Sequence, residues 1–129
     1  MQEALSHLRA ALPQLEEAVR SNPGDPDLRY NLGTLLGMMG RADEAIVQFA
    51  EAVRLQPGNP EAHFNLGTAL AARNRLEEAR DEFAAAVRLR PDYVNAHINL
   101  GRILAALGHA GEAAREFSEA QRLRPGSAP

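Results

Sequence analysis

The sequence predicts an all-α fold, an α-α superhelix of three antiparallel helix pairs behind an N-terminal helix, and three observations carry this expectation. Three nearly identical strings follow one another, Arg29 to Pro57, His63 to Pro91 and His97 to Pro125; Gly33, Gly67 and Gly101 stand 34 residues apart, as do the three prolines. Inside each string the apolar residues recur at intervals of three and four, the spacing of one helix face. Turn residues fall at the same point of every copy: Gly40, Asn74 and Gly108. A fixed period of this length denotes stacked units, each too small to bury its own apolar face.

The elements follow in chain order. Residues 2–22 read as a helix that caps the array, because Leu5, Leu8, Leu12, Leu15 and Val19 keep a three-four spacing. Counting back from Ala45 and Ala52 by one period reaches Ala11 and Ala18, the register of a second helix whose first helix is missing. Pro13 lacks the donor that would bond the carbonyl of Arg9 and is expected to kink this helix; the alternative is a shorter helix with Pro13 in its first turn. The repeats then occupy 26–59, 60–93 and 94–127. In the first, Leu32, Leu35 and Leu36 mark the buried face of one helix, and Ala45, Phe49, Ala52 and Val53 that of its partner. The break between them needs a left-handed residue, which Gly adopts freely and Asn tolerates best among the others. Pro57, Pro91 and Pro125 stop the second helices. After Pro125 only "GSAP" remains, so Phe117 and Leu123 are expected to leave an apolar face open to self-association.

Composition narrows the function. The chain has 129 residues, 45% hydrophobic content and a net charge of −3, with all basic residues Arg and none of them in a block. This disfavours nucleic acid or an anionic membrane as the main partner, and no apolar run is long enough to span a bilayer. The absence of cysteine removes disulfides, thiol catalysis and cysteine-bound zinc together. The N-terminus has no basic and apolar sections of a secretory signal. That favours the cytoplasm and leaves the periplasm open.

The positions Leu32-Gly33, Ala45, Ala52 and Pro57, with Leu66-Gly67, Ala79, Ala86 and Pro91, and Leu100-Gly101, Ala113, Ala120 and Pro125, resemble the tetratricopeptide repeat family over residues 26–125. The departure is the fourth position of the repeat, often large and apolar in that family and here Arg29, His63 and His97. The resemblance, which extends to bacterial members, implies a protein-binding module whose first helices line a concave groove. The groove residues it implies are Tyr30, Phe64 and Ile98 at the fifth position, Asn31, Asn65 and Asn99 at the sixth, and Thr34, Thr68 and Arg102 at the ninth. The triple asparagine is similar to the asparagine ladder in the repeat domain of O-linked N-acetylglucosamine transferases. An amide both donates and accepts, so such a ladder suits an extended peptide backbone. Two readings stay open for these residues, ligand contact and simple helix-face packing.

Other readings find less support. The resemblance to chaperone-adaptor members fails at the carboxylate clamp, since Tyr30, Asn95 and Asn99 stand where basic residues would be needed. His63 and His97 lie one repeat apart, about 10 Å, too far to share a metal, and read as helix-face histidines. No nucleophile, base and acid fall in a recognisable constellation, and neither enzyme activity nor a cofactor is expected. The partner expected is a protein or peptide, with a homodimer through the uncapped end as a further possibility. A self-assembling scaffold and a substrate-recruiting arm of a larger enzyme, such as a glycosyltransferase, are the alternatives.

Overall fold

The computed structural model describes residues 2–124, which form seven helices: α1 (Gln2–Ser21), α2 (Pro26–Met38), α3 (Ala42–Leu55), α4 (Pro60–Ala72), α5 (Leu76–Leu89), α6 (Val94–Ala106) and α7 (Ala110–Leu123). They group into two compact units that divide after Pro57. The last proline of the period, Pro125, and the "GSAP" beyond it lie outside the described residues.

In the first unit α2 pairs with α3, and α1 packs against α2. Asp25 starts α2 by accepting from the backbone N–H groups of Asp27 (2.9 Å) and Leu28 (3.4 Å), which would otherwise lack partners at a helix start. Pro26 follows at a position where its missing donor costs nothing. The apolar spacing buries Leu32, Leu35 and Leu36 of α2 against Ala45, Ile46, Phe49 and Ala52 of α3. Helix α1 continues on both sides of Pro13, which sets aside the shorter helix. Its apolar stripe is engaged unevenly: Val19 is buried, Leu8, Leu12 and Leu15 are half-buried, and Leu5 is exposed.

In the second unit α4 pairs with α5 and α6 with α7, while α6 also packs on α5. Asn59 caps α4 as Asp25 caps α2, through bonds from the N–H groups of Glu61 and Ala62. Tyr93 holds the corresponding place before α6 and makes no side-chain cap. The core consists of Ala62, Leu66 and Leu70 of α4, Ala79, Phe83, Ala85 and Ala86 of α5, Ala96, Leu100, Ile103 and Leu104 of α6, and Ala113 and Ala120 of α7.

The turns inside all three pairs are built alike. Gly40, Asn74 and Gly108 have φ of 76°, 59° and 89°, and Asn74 is the only non-glycine with positive φ among the described residues. The amides just past each turn, Arg41, Arg75 and His109, bond back to the carbonyls of Leu36, Leu70 and Leu104 at 2.9, 2.9 and 2.8 Å. This closes the helix end in the manner of a Schellman motif and satisfies carbonyls the helix leaves open. Arg41 and Arg75 then pair with Glu44 and Glu78 in the next helix's first turn. Hydrogen bonds from these guanidiniums hold both carboxyls below their ordinary 4.5. A carboxyl shifted downward contributes stability above its unfolded value and loses it as pH falls, so these pairs weaken in acid; in water their contribution is small.

Each pair closes on a glycine. A Cβ on Gly33 would lie 2.8 Å from Cε1 of Phe49, on Gly67 2.9 Å from Cε1 of Phe83, and on Gly101 2.7 Å from Cε1 of Phe117. Replacing Gly67 by Leu is therefore expected to cost about 3 kcal/mol through overpacking, read as a fall in urea midpoint. Gly37 has no atom within 4 Å of such a Cβ. Its replacement by Ala is expected to stabilise by about 0.5–1 kcal/mol from helix propensity alone, and a loss at this position would contradict the account.

Candidate functional site

The first helix of each pair carries its buried leucines on one face and presents the fifth, sixth and ninth repeat positions on another. Tyr30 is 42% exposed and its ring centre lies 6.1 Å from that of Phe49. Phe64 is half-buried, edge-on to Phe83 at 5.6 Å and stacked on Tyr93 at 5.0 Å. Ile98 is half-buried. These residues both pack and remain partly open.

Asn31 is exposed, and Asn65 and Asn99 are half-buried on α4 and α6, which touch one another. None of the three side-chain amides makes a hydrogen bond among the described residues, and no buried polar side-chain atom is left without a partner. The amides therefore have no partner among the described residues and reach solvent. Thr34 is half-buried; Thr68 is exposed but donates its hydroxyl to the carbonyl of Phe64 at 2.9 Å, which directs it to its own helix. Arg102 is exposed.

The fourth position turns out to be a clasp between the helices of a pair, which the apolar spacing does not reveal. Arg29 donates to Oε1 of Gln48 (3.1 Å) and to the carbonyl of Pro23 (3.2 Å). His63 meets Glu82 at 2.8 Å, and His97 meets Glu116 at 2.8 Å. Nε2 of His97 donates to the carbonyl of Pro91 at 2.7 Å. Both histidines are buried, at 9% and 7% exposure. A large apolar side chain is replaced here by a polar one with a partner built into the facing helix, which removes the desolvation penalty an unpaired imidazole would carry. The signal lay in the sequence: the residue nineteen positions later is Gln48, Glu82 or Glu116, itself a 34-residue series.

At the far end of the second unit Phe117 is 40% exposed, whereas its equivalent Phe83 is 1% exposed. Helix α6 covers Phe83, and α7 has α6 as its packing partner. Leu123 is half-buried. No group of three His, Cys, Asp or Glu among the described residues is placed to hold a metal ion, and no described helix is long and apolar enough to cross a membrane.

Comparison with known proteins agrees with this geometry. The family model described as Tetratricopeptide repeat matches residues 2–60, 34–94 and 64–128. No curated protein matches the chain's sequence. Among solved structures, MamA is similar over 97% of this chain and 73% of its own, with a TM-score of 0.88 at 21% identity. YrrB, described as a tetratricopeptide repeat protein with an unusual peptide-binding site, is similar over 95% of this chain and 63% of its own, with a TM-score of 0.84 at 28% identity.

The clasp has a measurable consequence. Changing Glu116 to Leu leaves His97 buried beside an apolar group, and a loss of about 1–3 kcal/mol is expected in urea denaturation. The exposed Glu112, changed in the same way, is expected to alter stability by no more than about 0.5 kcal/mol.

Proposed function

Because the chain belongs to the tetratricopeptide repeat family, whose members are interaction scaffolds and generally not catalysts, we propose that it binds an extended segment of a partner protein along the first-helix face. The observation that carries this reading is the pair of solvent-reaching amides at Asn65 and Asn99 in the second unit, which have no partner among the described residues; Asn31 holds the same repeat position in the first unit. An amide at one position of three repeats but engaged with nothing among the described residues has its donor and acceptor free for a ligand. A peptide backbone presents the complementary carbonyl and N–H at regular intervals. Phe64 and Ile98 beside them offer apolar surface for side chains of that segment, with Thr68 and Arg102 at its border; Tyr30 and Thr34 hold the matching repeat positions of the first unit. The YrrB likeness supports a peptide as the class of ligand, since that protein is itself described as peptide-binding.

The test selects peptides from a random displayed library on the immobilised chain and measures the best of them by fluorescence anisotropy. Changing Asn65 and Asn99 to Ala together is expected to weaken binding about tenfold, with stability altered by no more than about 0.5 kcal/mol. Unchanged affinity with lowered stability would assign the amides a structural role instead.

A further inference from the structure

The exposed Phe117 floors a groove of about 360 Å³ lined by Ile98, Arg102, Phe117, Ala120, Gln121 and Arg124. One period earlier the same positions are Phe64, Thr68, Phe83, Ala86, Val87 and Arg90, and there the chain supplies its own occupant. The ring of Tyr93 stacks on Phe64 at 5.0 Å, and the guanidinium of Arg90 lies over that ring, 4.8 Å from its centre. Tyr93 takes this place at the expense of helix capping, for it stands where Asp25 and Asn59 cap α2 and α4. Arg90 is also neutralised, by Glu61.

At the groove the equivalent positions hold different residues, and Ser127 stands one period after Tyr93. The residue equivalent to Glu61 is Asn95. The guanidiniums of Arg102 and Arg124 make no hydrogen bond or ion pair among the described residues, although seven other arginines form ion pairs and Arg29 forms hydrogen bonds. An apolar floor between two cations that have no partner among the described residues selects an occupant that brings a ring and negative charge. A two-fold pairing of this face with a second copy would instead set four guanidiniums in one interface, with no carboxylate among the lining residues.

We infer that this groove docks an acidic segment of a partner protein through an aromatic side chain, with the ring on Ile98 and Phe117 beneath Arg124 and a carboxylate on Arg102. The inference adds a second, end-face contact to the peptide-binding reading and shares only Ile98 and Arg102 with it.

The probe is a fluorescein-labelled peptide copying residues 91–106, the segment that delivers Tyr93 to the equivalent position, with Asn95→Glu and Asn99→Glu. Two companions carry in addition Tyr93→Ala, or Lys at the acidic positions. Titrated with the full chain, the first peptide is expected to bind and each companion to bind about tenfold more weakly. The chain variant Arg102→Glu/Arg124→Glu is expected to lose the first peptide, while Asn65→Ala retains it. Circular dichroism melts of each variant establish that the fold is kept. Absence of binding, equal affinity for all three peptides, or retention by the double-arginine variant would overturn the inference. So would a dimer of the unliganded chain that Phe117→Ser abolishes, which would make a second copy the occupant. Loss of library-selected peptides in Asn65→Ala, with this probe still bound, tests the first-helix reading separately.

Discussion

Each helix pair closes where the ring of a phenylalanine lies on the bare backbone of a glycine in the facing helix. The atoms are so close that a single methyl group would overlap the ring at Gly33, Gly67 or Gly101. Close approach brings the small residues Ala45, Ala79 and Ala113, and Ala52, Ala86 and Ala120, into the same buried layer, where packing at near-crystalline density has no room for larger groups. Once the helices are this near, every polar atom near the crossing must find its partner within the pair. The Arg29, His63 and His97 clasps answer that demand, each joining the first helix to the second beside the glycine contact. Geometry at one backbone atom thus decides which side chains can be polar, which must be small, and which are left facing outward.

The outward-facing set is where the chain departs from what its own stability asks. Asn is a poor helix former, and an amide with no partner in the chain adds nothing to the fold. Tyr93 gives up a cap worth about 1 kcal/mol for a ring stacked between Phe64 and Arg90. Local rules broken without a local gain are expected at functional surfaces. Phe64, on which Tyr93 stacks, directly precedes Asn65 in α4.

Much of this was legible from residue spacing. The glycine, alanine and phenylalanine series determine the helix pairs because they act through volume, and volume is written in residue type. The Gly40, Asn74 and Gly108 turns were legible for a similar reason, since only a few residue types tolerate positive φ. The histidines were not. Their meaning depends on a partner nineteen residues away in another helix, Glu82 or Glu116, which no single-position pattern encodes. Tyr93 was not legible, because a stacked ring is a pairwise geometry that no single-position pattern encodes. The apolar stripe of α1 was legible as a helix, but spacing reports which residues share a face, not how much of that face is covered.

Side-chain amide resonances test the central claim most directly, because they report on the asparagines themselves. In an isotope-labelled chain titrated with a library-selected peptide, the NH2 signals of Asn65 and Asn99 are expected to shift together and saturate with the peptide, ahead of any change in the backbone amides of α5 and α7. Saturating binding that leaves those signals in place, and moves only the second-helix amides, would contradict the assignment of the first-helix face as the ligand surface.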